Sequence, residues 1–145
     1  MGAVVEELRA RPSTRRAIIG LLDPVDDHYN FTAKDYPCTQ YLHFIVRNGC
    51  LDLDIHIRSN DILWGLTGVN IFEFTVFQEL VASMVNIPIG KYFHIADSLH
   101  YYTDYQQRMD NILQAPHFDI YDHTAPFTIH RISSNHSLAN MDIAL

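Results

Sequence analysis

The stretch HFIVRNGCLDLDIHIR, residues 43–58, predicts the centre of the fold. Its Asn48-Gly49 pair favours the two-residue turn of a β-hairpin, because both residue types tolerate a positive φ angle. In the arm after the turn, apolar residues at 51, 53, 55 and 57 alternate with polar residues at 52, 54, 56 and 58. Successive side chains of a strand point to opposite faces, so one face of this arm should be buried. Arg58 is then expected to leave the sheet on its polar face.

Helical and strand-like segments surround this hairpin. Helical periodicity covers residues 4–11, where Pro12 should end the helix, and residues 70–85 and 103–113. Apolar runs at 17–22 and 91–96 predict two more strands, and residues 23–37 read as a loop. Within 70–85 we expect three phenylalanines in the core and three polar residues between the apolar positions: Phe72, Phe74, Phe77, and Glu73, Gln78, Glu79. The mixture predicts one α+β domain over residues 1–145, with a mixed sheet packed against helices.

The composition excludes several classes of protein. The 145 residues are 48% hydrophobic and 19% charged, which is typical of a folded domain. A net charge of -7 argues against binding to a nucleic-acid polymer, since such proteins are usually basic. The sequence contains no apolar run of about 18 residues, so we expect no membrane span. Two cysteines form no disulfide framework, and with no signal peptide recognised, a cytoplasmic protein is expected.

A cysteine and several basic residues could form an anion site with a nucleophile. Cys38 follows a proline and precedes the first strand of the hairpin, and arginines stand at 15, 16 and 58. A nearby guanidinium favours the nucleophilic thiolate form of a cysteine, and it also presents paired donors to a phosphate. Ser59 could add a hydroxyl donor. A lone cysteine is more often a small buried hydrophobe, and Cys50 keeps that interpretation.

Further polar residues could read a heterocyclic ligand. The amide of Asn70 offers a donor and an acceptor, as the O4 and N3 edge of uracil requires. His100 and Tyr102 are two residues apart, so on a strand they would share a face and could hold a sugar hydroxyl. Asp61 offers an acceptor to a donor-rich ring such as a pterin. Trp64 could pack in the core or flank such a ring.

A metal site is not expected. Histidines and aspartates lie close together in one stretch, but their spacing matches no specific metal signature. The residues concerned are His117, Asp119, Asp122 and His123.

In order along the chain, these residues resemble a known family. Pro37-Cys38, then Arg58-Ser59 with Asp61, Gly65, Asn70-Ile71, and His100 with Tyr102 resemble thymidylate synthase and its pyrimidine hydroxymethylase relatives. Residues 13–19 resemble the paired-arginine segment of that family, and residues 141–145 faintly resemble the apolar tail that closes over folate. The main resemblance runs from about Val4 to Tyr102. It implies a thymidylate synthase-like fold that lacks the family's N-terminal region, since only 14 residues precede Arg15.

The resemblance implies a covalent mechanism with a folate. Cys38 would add to C6 of a deoxypyrimidine monophosphate, and C5 would then attack the methylene of 5,10-methylenetetrahydrofolate. Asp61 would hold the pterin and Asn70 the base.

It also implies how the nucleotide is held. Arg58 and Ser59 would bind its phosphate, and His100 and Tyr102 its 3′-hydroxyl. Arg15-Arg16 would reach the phosphate bound by the partner subunit, so a homodimer is implied.

Departures from the family pattern leave the reaction open. Thr39 replaces a common His, residues 66–70 form a stretch one residue longer than usual, Ser98 replaces an Asp, and Asp104-Tyr105 replaces Asn-His. The first hypothesis is methylation of dUMP to dTMP, and the alternative is hydroxymethylation of dUMP, dCMP or CMP. A hypothesis from another class is an inactive nucleotide-binding or dimerisation module, because a phosphate-binding arginine and a proton-relaying glutamate of the family have no counterpart here. On this view the chain is expected to be a fragment or an unusually short homologue.

Overall fold

A computed structural model describes residues 1–28 and 31–116. Two compact units divide the chain, the first over residues 1–100 and the second from residue 101 onward. The stretch with His117 and Asp122, in which we expect no metal site, lies outside the described residues. The apolar end at 141–145 also lies outside them.

A four-stranded sheet forms the centre of the first unit. Its strands are β1 (Ile18–Gly20), β2 (Thr39–Arg47), β3 (Cys50–Ile57) and β5 (Ile89–Ala96), in the order β1-β2-β3-β5. The first three strands are antiparallel, and β5 runs parallel to β3. The short strands β4 (Asn60–Asp61) and β6 (Leu99–His100) pair in parallel beside it. This mixed sheet confirms the predicted α+β class.

The β2–β3 hairpin has the predicted turn. Asn48 and Gly49 have φ angles of 51° and 78°, and Arg47 pairs with Cys50 across a two-residue loop. Positive φ at both central positions twists the loop in the same sense as the strands, which explains the Asn-Gly sequence. The alternation in β3 is also confirmed, since its four apolar residues are at most 1% exposed: Leu51, Leu53, Ile55 and Ile57.

Two helices pack on that apolar face, which we call the inner face. They are α1 (Gly2–Ala10) and α2 (Ile71–Val85), close to the predicted helices. Val4, Val5 and Leu8 of α1 and Phe74, Val81 and Ala82 of α2 join the apolar residues of β2 and β3 in one buried cluster.

Two side-chain predictions for α2 are wrong. Phe72 is 71% exposed and is no core residue of the described chain. Gln78, expected among the polar positions, is only 2% exposed. Its amide donates to the carbonyl oxygens of Leu51 (2.8 Å) and Lys91 (3.1 Å), beside a register shift between β3 and β5. A buried amide is tolerated here because it satisfies carbonyls that the irregular ladder leaves open.

A π-helix (Ile62–Asn70) precedes α2, where the sequence predicted no helix. Asp61 caps it by accepting a hydrogen bond from the Trp64 backbone N–H at 2.5 Å. A π-helical turn holds one more residue than an α-helical turn. The wide turn therefore accommodates the one-residue-longer stretch that the sequence shows here, and Asn70 still directly precedes α2.

The opposite face of the sheet, which we call the outer face, carries Tyr41, His56, Phe93 and Ile95. The strand registers place these residues side by side with Ile18. Ile18 is 49% exposed, and Phe93 and Ile95 are each 44% exposed. A groove on this face is lined by residues of β2, β3 and β5, including Arg47, Cys50 and Lys91, and by none of the predicted nucleotide-binding residues.

The second unit begins with a 3₁₀ turn (Thr103–Tyr105) and α3 (Gln106–Gln114), which together cover the predicted helix. The Tyr101 hydroxyl donates to Gln106 Oε1 at 2.7 Å. Among the described residues, no helix is both long and apolar enough to cross a lipid bilayer.

Candidate functional site

Cys38 and Arg58 lie in contact where β2 begins and β3 ends. The Arg58 Nη2 atom is 3.7 Å from the Cys38 Sγ atom. The backbone N–H of Arg58 also donates to the Cys38 carbonyl oxygen at 3.0 Å. Arg58 is half-buried and Cys38 is exposed. The hairpin thus places a positive charge beside an accessible thiol, although 20 residues separate them in the sequence.

Arg58 is held by more than the thiol. Its Nε atom donates to the Pro37 carbonyl oxygen and its Nη2 atom to the Tyr36 carbonyl oxygen, each at 3.0 Å. The guanidinium carbon also lies 4.8 Å from the centre of the Tyr36 ring. Stacking and two carbonyl bonds fix the plane of the guanidinium, as oriented recognition of an anion requires. Ser59 follows directly and is partly exposed.

Arg15 and Arg16 are not brought to Cys38 of the same chain. Both are exposed, and Ala17 separates them from the start of β1. Ile18 pairs with His43, so Arg16 lies beyond the middle of β2, at the end opposite Cys38. At a strand rise of 3.3 Å per residue this separation is roughly 20 Å. The idea that these two arginines act on the thiol within one chain is therefore wrong, and their role toward a partner subunit stays a prediction.

Asp61 has one carboxylate oxygen that the described residues leave without a partner. Its Oδ1 atom caps the π-helix, while its Oδ2 atom is buried and has no hydrogen-bond partner in the described part of the chain. An unpaired buried carboxylate oxygen is costly, which suits a site that a donor-rich ligand completes. Trp64 is 65% exposed, so its alternative placement in the core is wrong.

His100 lies beside Asp61, because β6 pairs with β4 in the register Asp61 with His100. The strand ends at His100, and Tyr102 is the residue that precedes the 3₁₀ turn of the second unit. The shared strand face expected for His100 and Tyr102 therefore does not exist. The parallel pairing of β4 with β6 was not visible in the sequence, since each strand has only two residues.

A part-buried chain of hydrogen-bonded polar side chains was missed by sequence reasoning. Asn60 is 3% exposed, and its Nδ2 atom is 2.6 Å from the His94 Nε2 atom. The His94 Nδ1 atom is in turn 2.8 Å from the Tyr92 hydroxyl. Burial lowers the pKa of His94 and raises the pKa of Tyr92, so both are neutral near pH 7. The alternation of Tyr92 and His94 along β5 was a signal for a shared face, but nothing in the sequence pointed to Asn60 as the partner.

The polar chain ends beside Asn70. A Cβ atom built on Gly65 would lie 1.8 Å from the Asn60 Oδ1 atom and 2.7 Å from the Asn70 Oδ1 atom. Both amides therefore border the same small space above Gly65, and only glycine leaves that space open. Asn70 is half-buried, and its side chain makes no hydrogen bond within residues 1–28 and 31–116. Its amide is thus available to a ligand.

The fold and the site together define a class of protein. Its members have a mixed sheet, with a cysteine and an arginine in contact where one strand of the central hairpin begins and the other ends. Thermostable thymidylate synthase A from Bacillus subtilis has a similar structure, with a TM-score of 0.72 and 25% identity over 81% of this chain and 41% of that one. Thymidylate synthase from T4 phage gives a TM-score of 0.70 and 28% identity over 81% of this chain and 40% of that one. These similarities confirm the predicted fold.

The chain belongs to the thymidylate synthase family, whose sequence model matches residues 1–139. It is 42% identical over 101 residues to deoxyuridylate hydroxymethyltransferase of Bacillus phage SP01, covering 70% of this chain and 26% of that protein. It is 31% identical over 110 residues to thymidylate synthase of Bacillus subtilis subsp. natto, covering 75% of this chain and 37% of that protein. The chain thus spans between a quarter and two fifths of the length of these two relatives.

Proposed function

We propose that this chain carries the nucleophile of an enzyme that transfers a one-carbon unit to C5 of deoxyuridine monophosphate. The observation that carries the proposal is the contact between Arg58 and Cys38, at 3.7 Å, in a chain of this family. The guanidinium places a fixed positive charge beside the sulfur atom that would act as the nucleophile.

The proposed first step is addition of the Cys38 thiolate to C6 of the pyrimidine. A bond forms between Sγ and C6, and the electron pair of the C5–C6 double bond moves toward C5 and O4. Asn70 would stabilise the resulting enolate by donating a hydrogen bond from its NH₂ group to O4. Its amide oxygen would accept a hydrogen bond from N3–H. Arg58 and Ser59 would hold the phosphate, and His100 and Tyr102 the 3′-hydroxyl.

The residues of the chain fit a reduced folate at Asp61. When bound, 5,10-methylenetetrahydrofolate would supply the one-carbon unit. The unpaired Oδ2 atom of Asp61 would accept hydrogen bonds from the donor edge of the pterin. Trp64, exposed three residues away, would cover one face of the ring.

Two outcomes of the transfer are open to this site. Hydroxymethylation is favoured by the 42% identity to the phage SP01 enzyme. Methylation is supported by the 31% identity to the natto synthase. The identity difference makes hydroxymethylation of dUMP our first proposal, ahead of the dUMP methylation that the sequence had suggested first.

Product analysis distinguishes these outcomes. The chain is incubated with dUMP or dCMP and labelled methylenetetrahydrofolate, and the nucleotides are identified by mass spectrometry while dihydrofolate is followed by absorbance. A hydroxymethylated product without dihydrofolate supports the first proposal. Formation of dTMP with dihydrofolate would replace it by methylation. Binding of dUMP without turnover would favour the inactive nucleotide-binding module.

A homodimer through the outer face is part of the proposal. Parallel strand pairs such as β3 and β5 are normally covered on both faces, yet Phe93 and Ile95 on the outer face are each 44% exposed. A second copy would cover this apolar surface. It would also give Arg15 and Arg16 a nucleotide of the partner subunit to contact. A cytoplasmic location stays a prediction.

A further inference from the structure

The polar chain of Tyr92, His94 and Asn60 has no part in the chemistry described so far. It joins β5 to β4 across 34 residues of sequence and ends at the amide of Asn60. The next residue of β4 is Asp61, whose carboxylate is proposed to hold the folate. The polar chain therefore ends one peptide bond away from a residue of the candidate site.

The backbone of β4 gives Asp61 little support. The strand has two residues, and it pairs with β6 at two positions, Asn60 with Leu99 and Asp61 with His100. Such a short ladder contributes few hydrogen bonds. Yet the Oδ2 atom of Asp61 is buried without a partner in the described part of the chain, which is unfavourable for a carboxylate oxygen. Holding the carboxylate there requires a further contact.

The side chain of Asn60 supplies that contact on two sides. Its Nδ2 atom lies 2.6 Å from the Nε2 atom of His94, and Asn60 is 3% exposed. Its Oδ1 atom lies against the π-helix, since it would be 1.8 Å from a Cβ atom added to Gly65. Water does not compete for a hydrogen bond at so buried an amide, so the bond to His94 fixes the direction of the Asn60 side chain.

The direction of Asn60 in turn determines that of Asp61. Successive side chains of an extended strand point to opposite sides, and Asp61 is extended, with φ of -78° and ψ of 135°. If Asn60 turned away from His94, the peptide bond that joins Asn60 to Asp61 would rotate. The Oδ1 atom of Asp61 would then lose the Trp64 backbone N–H, which lies 2.5 Å away, and its Oδ2 atom would leave the folate position.

The phosphate end of the site has its own support. Arg58 is held by the carbonyl oxygens of Pro37 and Tyr36, each at 3.0 Å, and by its contact with Cys38. These contacts come from the segment before β2 and do not pass through Asn60. Loss of the polar chain should therefore disturb the folate position more than the nucleotide position.

We propose that Asn60 and His94 are positioning residues that fix the carboxylate of Asp61 for the folate. The proposal rests on the proposed function, in which Asp61 binds the pterin. It requires a neutral His94 that accepts at Nε2 and donates from Nδ1 to the Tyr92 oxygen, 2.8 Å away. Neither Asn60 nor His94 touches the reacting atoms, and His94 acts only through the amide of Asn60.

Ligand affinities test the proposal. Calorimetry measures the affinity for dUMP, and for tetrahydrofolate at saturating dUMP, in the unchanged chain and in Asn60→Leu and His94→Phe, which remove polarity at similar volume. We expect the tetrahydrofolate affinity to fall about tenfold in both variants, as loss of one buried hydrogen bond predicts. The dUMP affinity should stay within about twofold, because Arg58 is held independently.

A rescue variant and a control separate positioning from a general loss of structure. His94→Gln keeps an acceptor near the Nε2 position and should restore most of the tetrahydrofolate affinity. His56→Phe removes the histidine of the outer face and should change neither affinity. The proposal would be overturned if both affinities fell together, if neither fell, or if His94→Gln bound tetrahydrofolate as weakly as His94→Phe.

Amide hydrogen exchange gives a second measurement that needs no ligand. The backbone N–H of Trp64, which donates to Asp61 Oδ1, should exchange about tenfold faster in Asn60→Leu than in the unchanged chain or in His56→Phe. Equal rates in all three chains would reject the positioning role. If the unchanged chain binds no tetrahydrofolate, or if Asp61→Asn binds it equally well, the proposed folate role of Asp61 fails. The exchange rate at Trp64 then decides by itself whether Asn60 positions Asp61.

Discussion

Two hydrogen-bonded chains of side chains, each with a tyrosine and a histidine, lie on opposite faces of one sheet. On the inner face, Tyr92 contacts His94, which contacts Asn60. On the outer face, the Tyr41 hydroxyl lies 3.3 Å from the His56 Nδ1 atom, and the His56 Nε2 atom lies 2.9 Å from Asp97 Oδ1. Neighbouring strand positions carry the two histidines, since His56 of β3 pairs with Ile95, the residue after His94.

The two chains of side chains differ in the group where each one ends and in how deeply that group is buried. The side chains of His56 and Asp97 are 25% and 53% exposed, and their chain ends in a solvated carboxylate. The inner chain ends in the amide of Asn60, which is 3% exposed. A pair between a histidine and a half-exposed carboxylate contributes little and responds to salt, whereas a chain that ends in a buried amide holds more fixed directions of donation. A tyrosine and a histidine in contact thus take different roles according to the face on which they lie.

The largest expected effect on activity distinguishes Cys38 at the candidate site from Cys50 on the outer face. Cys38→Ala at the site should lower turnover by about 10³-fold or more, because the covalent step is lost. Cys50→Ala in the groove of the outer face should stay within about twofold of the unchanged chain, as expected for a small change at a partly exposed residue away from the site. Single-turnover assays with dUMP and labelled methylenetetrahydrofolate measure both variants. Retained activity in Cys38→Ala would reject the covalent mechanism.

A smaller effect is expected for two arginines. Arg58→Lys loses the planar fork that contacts Tyr36 and Pro37 and would bind the phosphate. Loss of one or two charged hydrogen bonds should weaken dUMP binding by about 10- to 100-fold. Arg47→Lys, on the outer-face groove, keeps its charge and should leave dUMP affinity unchanged. Calorimetry tests the pair, and equal affinities in both variants would remove Arg58 from the nucleotide site.

The outer face is tested by assembly rather than by chemistry. Ile95→Glu places a charge in the surface proposed to pair two copies and should convert a dimer to a monomer at micromolar concentration, since burying an unpaired charge is strongly unfavourable. Val25→Glu, 71% exposed in the loop after β1, is the control. Light scattering gives the mass of each variant. If the unchanged chain is already a monomer, the outer face is not a dimer surface and Arg15 and Arg16 lose their proposed role.

The smallest effect concerns the pH dependence of stability. Burial lowers the pKa of His94 below its ordinary value of 6.5. Between the folded pKa and 6.5 the unfolded chain therefore binds more protons than the folded chain. The stability that neutral His94 provides is fully present above pH 6.5 and is lost as the pH falls through the folded pKa. Urea unfolding at about pH 7.5 and about pH 5.5 should show this loss.

His94→Gln should reduce the difference between the two pH values, while His56→Gln should leave that contribution in place. A His94→Gln chain with undiminished pH dependence would show that the inner histidine is not the group responsible.

Local sequence signals predicted the parts of the fold whose causes are local. The Asn48-Gly49 turn and the alternation of β3 depend on backbone sterics and on a period of two, so both could be read directly. The π-helix could not be read, because residues 62–70 contain no pattern specific for that turn. Gln78 was misjudged because its two acceptor carbonyls belong to β3 and β5, which are distant in sequence.

The candidate site shows the same division. Cys38 and Arg58 could be singled out, and the hairpin between them explains why they meet. Arg15 and Arg16 looked equivalent to Arg58 as charges, but the antiparallel register of β1 with β2 places them at the far end of the strand. Asn60 was passed over beside Arg58, Ser59 and Asp61, although it is the most buried polar residue of that segment.

By itself, the sequence determined the hairpin and the α+β class, because neighbouring residues and regular spacing decide these features. Only the tertiary structure decided that His94 meets Asn60 above Gly65, that His56 meets Asp97 on the opposite face, and that β4 pairs with β6. These contacts join residues far apart in the chain. Hydrogen-bond direction and burial depend on what the fold brings next to each side chain, and no local pattern records that.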